Sequence, residues 1–243
     1  MYKKIIKEIK QKSNPQKAKD LMWFFKTGKG QYGEGDIFLG ITIPEQRKIA
    51  KNFSDLTFFD IQKLLNNKYH EYRMIALLIL ICQFLKANEK NKKQIYNFYL
   101  KNTKNINNWD LVDLTAPKIV GEYLAEFAGS STKNTGISKN ILYKLARSKH
   151  LWEKRIAIIS TYSFIKRNNF NDTLKISEIL LHDEHDLIHK AVGWMLREVG
   201  KRDFQIEENF LKKHYKKMPR MMLRYAIEKF PKELYDEYLN GRI

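Results

Sequence analysis

Trp109 and Asp113 stand four residues apart in the stretch NWDLVDLTAPKIVG (108–121). On a helix that spacing projects both side chains from one face. A carboxylate can stabilise a neighbouring cation or orient a water, and an indole face attracts positive charge, so the pair suits chemistry at a cationic centre. Asp110 sits in the first turn, where free backbone amides and the helix dipole account for an acid without any chemistry. Asp113 lies past that turn, beyond the reach of capping. Pro117, four residues further on, has no N–H to offer the Asp113 carbonyl, which predicts a kink at Asp113. By local pattern alone the simpler account is a helix-start acid beside a core Trp, so the weight has to come from elsewhere in the chain.

Lys190, Trp194, Arg197 and Lys201 follow one another at spacings of four, three and four, which lays two lysines, an arginine and an indole down a single helix face. A core-facing stripe would not carry three cations. In LWEKRIAIIS (151–160), Trp152 and Arg155 lie at i and i+3; the plain account is a core Trp152 and a snorkelling surface Arg155. The run KKHYKKMPRMMLR (212–224) holds Lys212, Lys213, Lys216, Lys217, Arg220 and Arg224 interleaved with Tyr215. That composition suits phosphate contact, although most lysine runs are solvated faces. Two other patterns point less far. The G-x-G-x-x-G at 28–33 follows a helix with no βαβ unit around it, so a glycine-rich loop able to approach a phosphate replaces a dinucleotide site. His185 and His189, near Asp183 and Asp186, have the spacing of metal ligands, but no Glu follows His185 and acids at a helix start answer to the dipole. No metal and no cofactor is expected.

Helices must position these groups. Apolar residues recur at three and four along nearly the whole chain, and almost no segment alternates for long with period two, so the fold class is all-α. The expected helices run over 2–12, 15–26, 44–53, 57–66, 69–86, 91–101, 107–127, 138–147, 151–167, 170–181, 185–201, 205–214 and 219–229. Asn14-Pro15 and Ile43-Pro44 supply two starts, Ser54-Asp55 another, and Asn107 and Asn108 can cap the helix that holds Trp109. The stretches YHEYRMIALLILICQFL (69–85), LWEKRIAIISTYSFIK (151–166) and LIHKAVGWMLREVGKR (187–202) share one shape. Their spacing, roughly 36–46 residues per step, matches a HEAT/armadillo-like helical-repeat solenoid with a concave basic face. No linker rich in Pro, Gly or Ser divides the chain, so residues 1–243 are expected to form a single domain.

Composition narrows the partners. With 45 Lys and Arg against 27 Asp and Glu the net charge is +18, a field that favours nucleic acid or an anionic membrane surface. At 43% hydrophobic residues the chain can fill a core, which excludes a disordered basic tail. Cys82 is the only cysteine, which excludes an intrachain disulfide or a cysteine zinc site. No apolar run is long enough to span a bilayer, and charges interrupt MYKKIIKEIKQKS at the N-terminus, so a cytoplasmic monomer without a membrane partner is expected.

Together these residues carry a resemblance. FLGITIPEQRK (38–48), NWDLVDLTAPKIVG (108–121), LWEKRIAIIS (151–160) and IHKAVGWMLREVGK (188–201) resemble, in order and over about residues 14–230, the HEAT-like-repeat alkylpurine DNA glycosylases of the AlkD-type DNA alkylation repair family. The resemblance implies that Trp109, Asp113 and Trp194 flank the damaged nucleoside as the catalytic set, and that Arg155 and Arg197 contact DNA. Lys190, Lys201, Arg220 and Arg224 join them as candidate DNA-binding residues on charge and spacing. The chain departs from the family in having Asn108-Trp109 where members carry W-W, Phe24 about where they carry an aromatic hydroxyl, Thr42 about where they carry a Gln, and a longer loop at 27–36.

The implied partner is double-stranded DNA containing alkylated bases. A purine alkylated at N7 or N3 is cationic, so its glycosidic bond is weak, and a carboxylate beside the oxocarbenium-like sugar suffices to release it; Asp113 would act alone. The expected enzyme is a monofunctional glycosylase that hydrolyses the N-glycosidic bond of 3-methyladenine and 7-methylguanine, without lyase activity and without base flipping. The competing expectation is a non-catalytic helical-repeat protein that binds nucleic acid; a solenoid for acidic protein partners would explain the charge but not the Trp–Asp spacing.

Overall fold

The computed structural model describes residues 1–128 and 138–243. Among them nearly every element is helical, and the only strand-like pairing is an isolated parallel bridge between Ile37 and Tyr69. The chain is all-α, as its periodicity predicts. It gathers into two compact units, Met1–Leu111 and Val112–Ile243, and the division falls inside the helix Trp109–Ala116 with no linker to mark it. Among the described residues no helix is long and apolar enough to cross a membrane.

The first unit is organised around His70–Lys86, whose residues from His70 to Ile81 are all buried, with Phe84. Ile43–Asn52 and Phe58–Leu65 pack on it. Local chemistry sets the ends of these elements. Asn14 accepts from the Lys17 amide at 3.0 Å with Pro15 in the first turn, and Thr42 and Glu45 close a capping box ahead of Pro44. The helix expected over 57–66 is Phe58–Leu65, and its cap is Thr57, not Ser54 or Asp55: Thr57 Oγ1 accepts from the Asp60 amide at 3.3 Å.

In the second unit Asp186–Gly200 is central and packs against Leu151–Ser160, Phe204–His214 and Arg220–Ala226. Gly193 allows the close approach of Arg220–Ala226: a Cβ there would lie 2.4 Å from the Met222 carbonyl oxygen. The helix expected over 107–127 is three pieces, Trp109–Ala116, a π-helical turn Pro117–Gly121, and Glu122–Phe127. The irregularity therefore falls a turn later than the kink expected at Asp113, and Ser163 Oγ donates to the Pro117 carbonyl at 2.8 Å. The helix expected over 151–167 breaks at Thr161, whose Oγ1 donates to the Ile158 carbonyl at 2.7 Å. Lys232–Asn240 was not expected; it buries only Tyr238, and Gly241, at φ 69°, ends it.

Candidate active site

Asp113 and its surroundings in the second unit come first. The Arg155 guanidinium, projected from Leu151–Ser160, forks onto the Asp113 carboxylate, Nε to Oδ1 at 2.8 Å and Nη2 to Oδ2 at 2.7 Å. Its Nη1 donates to the Leu187 carbonyl at the start of Asp186–Gly200. Three segments thus fix one carboxylate in one orientation. The Asp113 side chain keeps 14% of its surface exposed. Arg155, expected to contact DNA, is only 5% exposed, with its donors turned onto Asp113 and Leu187.

Trp194 is half-buried on Asp186–Gly200, one edge tethered by Nε1 donating to Glu198 Oε1 at 3.1 Å, with the Tyr162 ring 6.5 Å away. The cations of the same stripe are matched with acids. Lys190 meets Asp186 at 3.0 Å, Lys201 meets Glu198 at 2.6 Å, and Arg197 pairs with Glu228. Such partly exposed pairs are weak and can exchange a carboxylate for a phosphate. Arg220 and Arg224 are exposed, and neither forms an ion pair among the described residues. Trp152 is core.

In the first unit the Trp109 indole stacks on Phe25, centroids 5.2 Å apart and planes 22° apart, with the Phe24 ring edge-on at 6.0 Å. Its Nε1 donates to Tyr32 Oη at 3.3 Å. Beneath it lies a cluster that the sequence did not disclose. His70 Nδ1 is 3.2 Å from Asp36 Oδ2 and Nε2 is 2.8 Å from Asp110 Oδ2. Arg73 pairs with Asp36, and Asn108 Nδ2 donates to Asp36 at 3.2 Å. Burial opposes a charge on His70, but the attraction and hydrogen bond of Asp110, then those of Asp36, raise its pKa to about 9. Burial likewise opposes charge on Asp36, yet His70, Arg73 and Asn108 hold it below the usual carboxylate range. Two cations and two anions make a neutral buried set.

Asp110 is therefore more than the helix-start acid expected of it: one oxygen accepts from the Leu111 amide at 2.8 Å while the other holds His70. The glycine-rich loop takes a different part from the phosphate approach expected of it, delivering Tyr32 to Trp109 and Asp36 to His70. A faint signal existed. H-E-Y-R (70–73) and W-E-K-R (152–155) occupy the same place in two of the repeated stretches, and Arg73 and Arg155 each clamp an aspartate. The histidines at 185 and 189 are occupied structurally. His185 Nδ1 accepts from the Leu187 amide at 3.1 Å, and His189 bonds the Asp183 carbonyl. Among the described residues no group of three or more His, Cys, Asp or Glu is placed to hold a metal ion.

Comparison with known proteins agrees with this architecture. The model of a family described as DNA alkylation repair enzyme matches residues 5–230. A solved structure titled as a predicted DNA alkylation repair enzyme from Enterococcus faecalis superposes with a TM-score of 0.67 at 17% identity, covering 91% of this chain and 98% of that one. The crystal structure of AlkD2 from Streptococcus mutans superposes with a TM-score of 0.56 at 16% identity, covering 90% and 99%. No curated protein matches the sequence. At these identities the structural likeness speaks for the fold, while the family model spans almost the whole sequence: the chain belongs to the DNA alkylation repair enzyme family.

Proposed function

We propose that the protein is a monofunctional DNA glycosylase that hydrolyses the N-glycosidic bond of cationic alkylated purines, 3-methyladenine and 7-methylguanine, in duplex DNA. The observation that carries the proposal is Asp113: a carboxylate held in one orientation by Arg155, still partly exposed, one turn along the same helix from Trp109. Cleavage leaves positive charge on the sugar, and a preoriented anion lowers that barrier without reorganising. The same anion can orient the attacking water and accept its proton, as the water oxygen bonds the anomeric carbon and the purine departs with the bonding electron pair. The purine is already cationic, so it departs neutral and needs no acid. That removes the reason to extract the base into a pocket, and the reading is cleavage without flipping. No amine nucleophile is needed, so hydrolysis leaves the sugar–phosphate chain intact. Trp109 and Trp194 offer faces to the cationic base and sugar.

A non-catalytic scaffold that binds nucleic acid is favoured by one observation, the same bidentate pair, since a buried fork of this kind also serves folding. Incubation with methylated duplex DNA separates the two. The proposal expects free methylpurines and unbroken strands carrying abasic sites; binding without release would leave the scaffold reading.

A further inference from the structure

Both ring nitrogens of His70 face carboxylate oxygens within hydrogen-bond reach, Asp36 on one side and Asp110 on the other. A neutral imidazole donates from one nitrogen only and would aim its other lone pair at an anion, so with both carboxylates ionised this geometry requires the doubly protonated ring. The ring is 2% exposed, and water cannot substitute for either partner. Asp36 ends the glycine-rich loop, and Asp110 lies in the first turn of the helix that carries Trp109. The main chain is joined at the same place: the His70 amide donates to the Ile37 carbonyl at 2.9 Å, and Glu71 accepts from the amides of Leu39 and Gly40, each at 2.8 Å. A cluster of rings joins His70 to the indole. Phe38 and Phe25 lie 4.5 and 5.2 Å from the His70 ring and 5.0 Å from each other, and Trp109 stacks on Phe25 at 5.2 Å.

We propose that His70 is a positioning residue for Trp109: its imidazolium ties the end of the 27–36 loop to the first helical turn, so loop closure and indole placement are one event. The loop then contributes to the site at both ends, Asp36 locking His70 within the ring cluster and Tyr32 holding the indole N–H. The charged groups facing His70 are Asp36 from the loop and Asp110 from the helix start. Arg73, one turn along the ring's own helix, faces Asp36 and also donates to the carbonyls of Asn67 and Lys68 at 3.1 and 3.2 Å. Loss of the His70 proton leaves Arg73 as the one cation between two carboxylates, and the bond to Asp36 or the bond to Asp110 must fail. The link to base release rests on the glycosylase reading; the link to the indole does not.

The test labels the full chain with 5-fluorotryptophan and follows the Trp109 fluorine resonance together with the His70 imidazole signal as pH rises. The two are expected to titrate together near pH 9 in the wild-type protein, while the core Trp152 resonance stays in place. In His70→Gln at neutral pH the Trp109 resonance should move, and base release at saturating substrate should fall about tenfold with little change in KM, as when an interaction specific to the transition state is lost. Asp36→Asn should reproduce this more weakly. Separate titration of His70 and Trp109 in the wild type overturns the proposal even where the variants fail to fold, as does a folded His70→Gln with an unmoved Trp109 signal. Wild-type protein that shows the joint titration yet releases no base would overturn the glycosylase reading alone.

Discussion

Removing the charge of Asp113 has two separable consequences. Asp113→Asn keeps the size of the side chain but leaves the buried Arg155 guanidinium facing a neutral amide, which is expected to lower the melting temperature. It also removes the anion that meets the developing sugar cation, and base release should fall roughly 100-fold or more, on the scale of losing one preorganised electrostatic group. Asp113→Asn combined with Arg155→Met separates the two, because it takes away the stranded cation: thermal stability should recover in part while base release does not. Recovery of both would assign the pair to folding only. Asp113 was legible in the sequence because capping could not explain it. Its partner was not, since nothing at position 155 distinguishes an arginine that snorkels outward from one that turns inward to an acid 42 residues earlier.

Helix packing explains the rest of the motif around Trp194. The glycine before it meets Arg220–Ala226 so closely that an added methyl would lie 2.4 Å from the Met222 carbonyl oxygen and 2.5 Å from Tyr225 Cβ. Gly193→Ala should therefore cost about 1–3 kcal/mol by overpacking, despite the better helix propensity of Ala, measured as a shift in the denaturation midpoint at constant m-value. Glu207, on Phe204–His214, is 2% exposed; burial, only partly offset by Arg197, raises its pKa to about 9. The unfolded chain releases this proton near 4.5 and the folded one holds it, so stability declines as pH rises from that value towards 9. Glu207→Gln should leave the melting temperature nearly unchanged at pH 4 and raise it by several degrees at pH 8; an equal shift at both would show that Glu207 does not titrate this way. Helix positions were readable from periodicity to within a few residues. Asp36 was not, because an acid at the end of a glycine-rich loop carries no period, and its contacts come from residues 34 to 72 positions away. The three recurrent stretches did mark heavily buried helices, but the cations at matching places in the first two, Arg73 and Arg155, point to acids inside the protein.

Across the whole molecule the +18 net charge sets how DNA would be met, and local pairing decides which cations are available to it. Arg220 and Arg224 stand exposed, whereas Arg155 is buried on Asp113. Substituting Arg220 or Arg224 by Ala should each reduce the slope of log K against log salt by about one, and Arg155→Ala should leave the slope unchanged while impairing base release. Arg197 and Lys190 must first release Glu228 and Asp186, so their loss should weaken binding less than that of Arg220. On the proposed mechanism the protein acts on the positive charge of the lesion, met by Asp113. Base release under single turnover from duplexes that each carry one defined lesion measures this. Release of 3-methyladenine and 7-methylguanine, with uracil and hypoxanthine left in place and the strand unbroken, is the predicted result. Efficient release of the neutral bases, or none of the cationic ones, would contradict it.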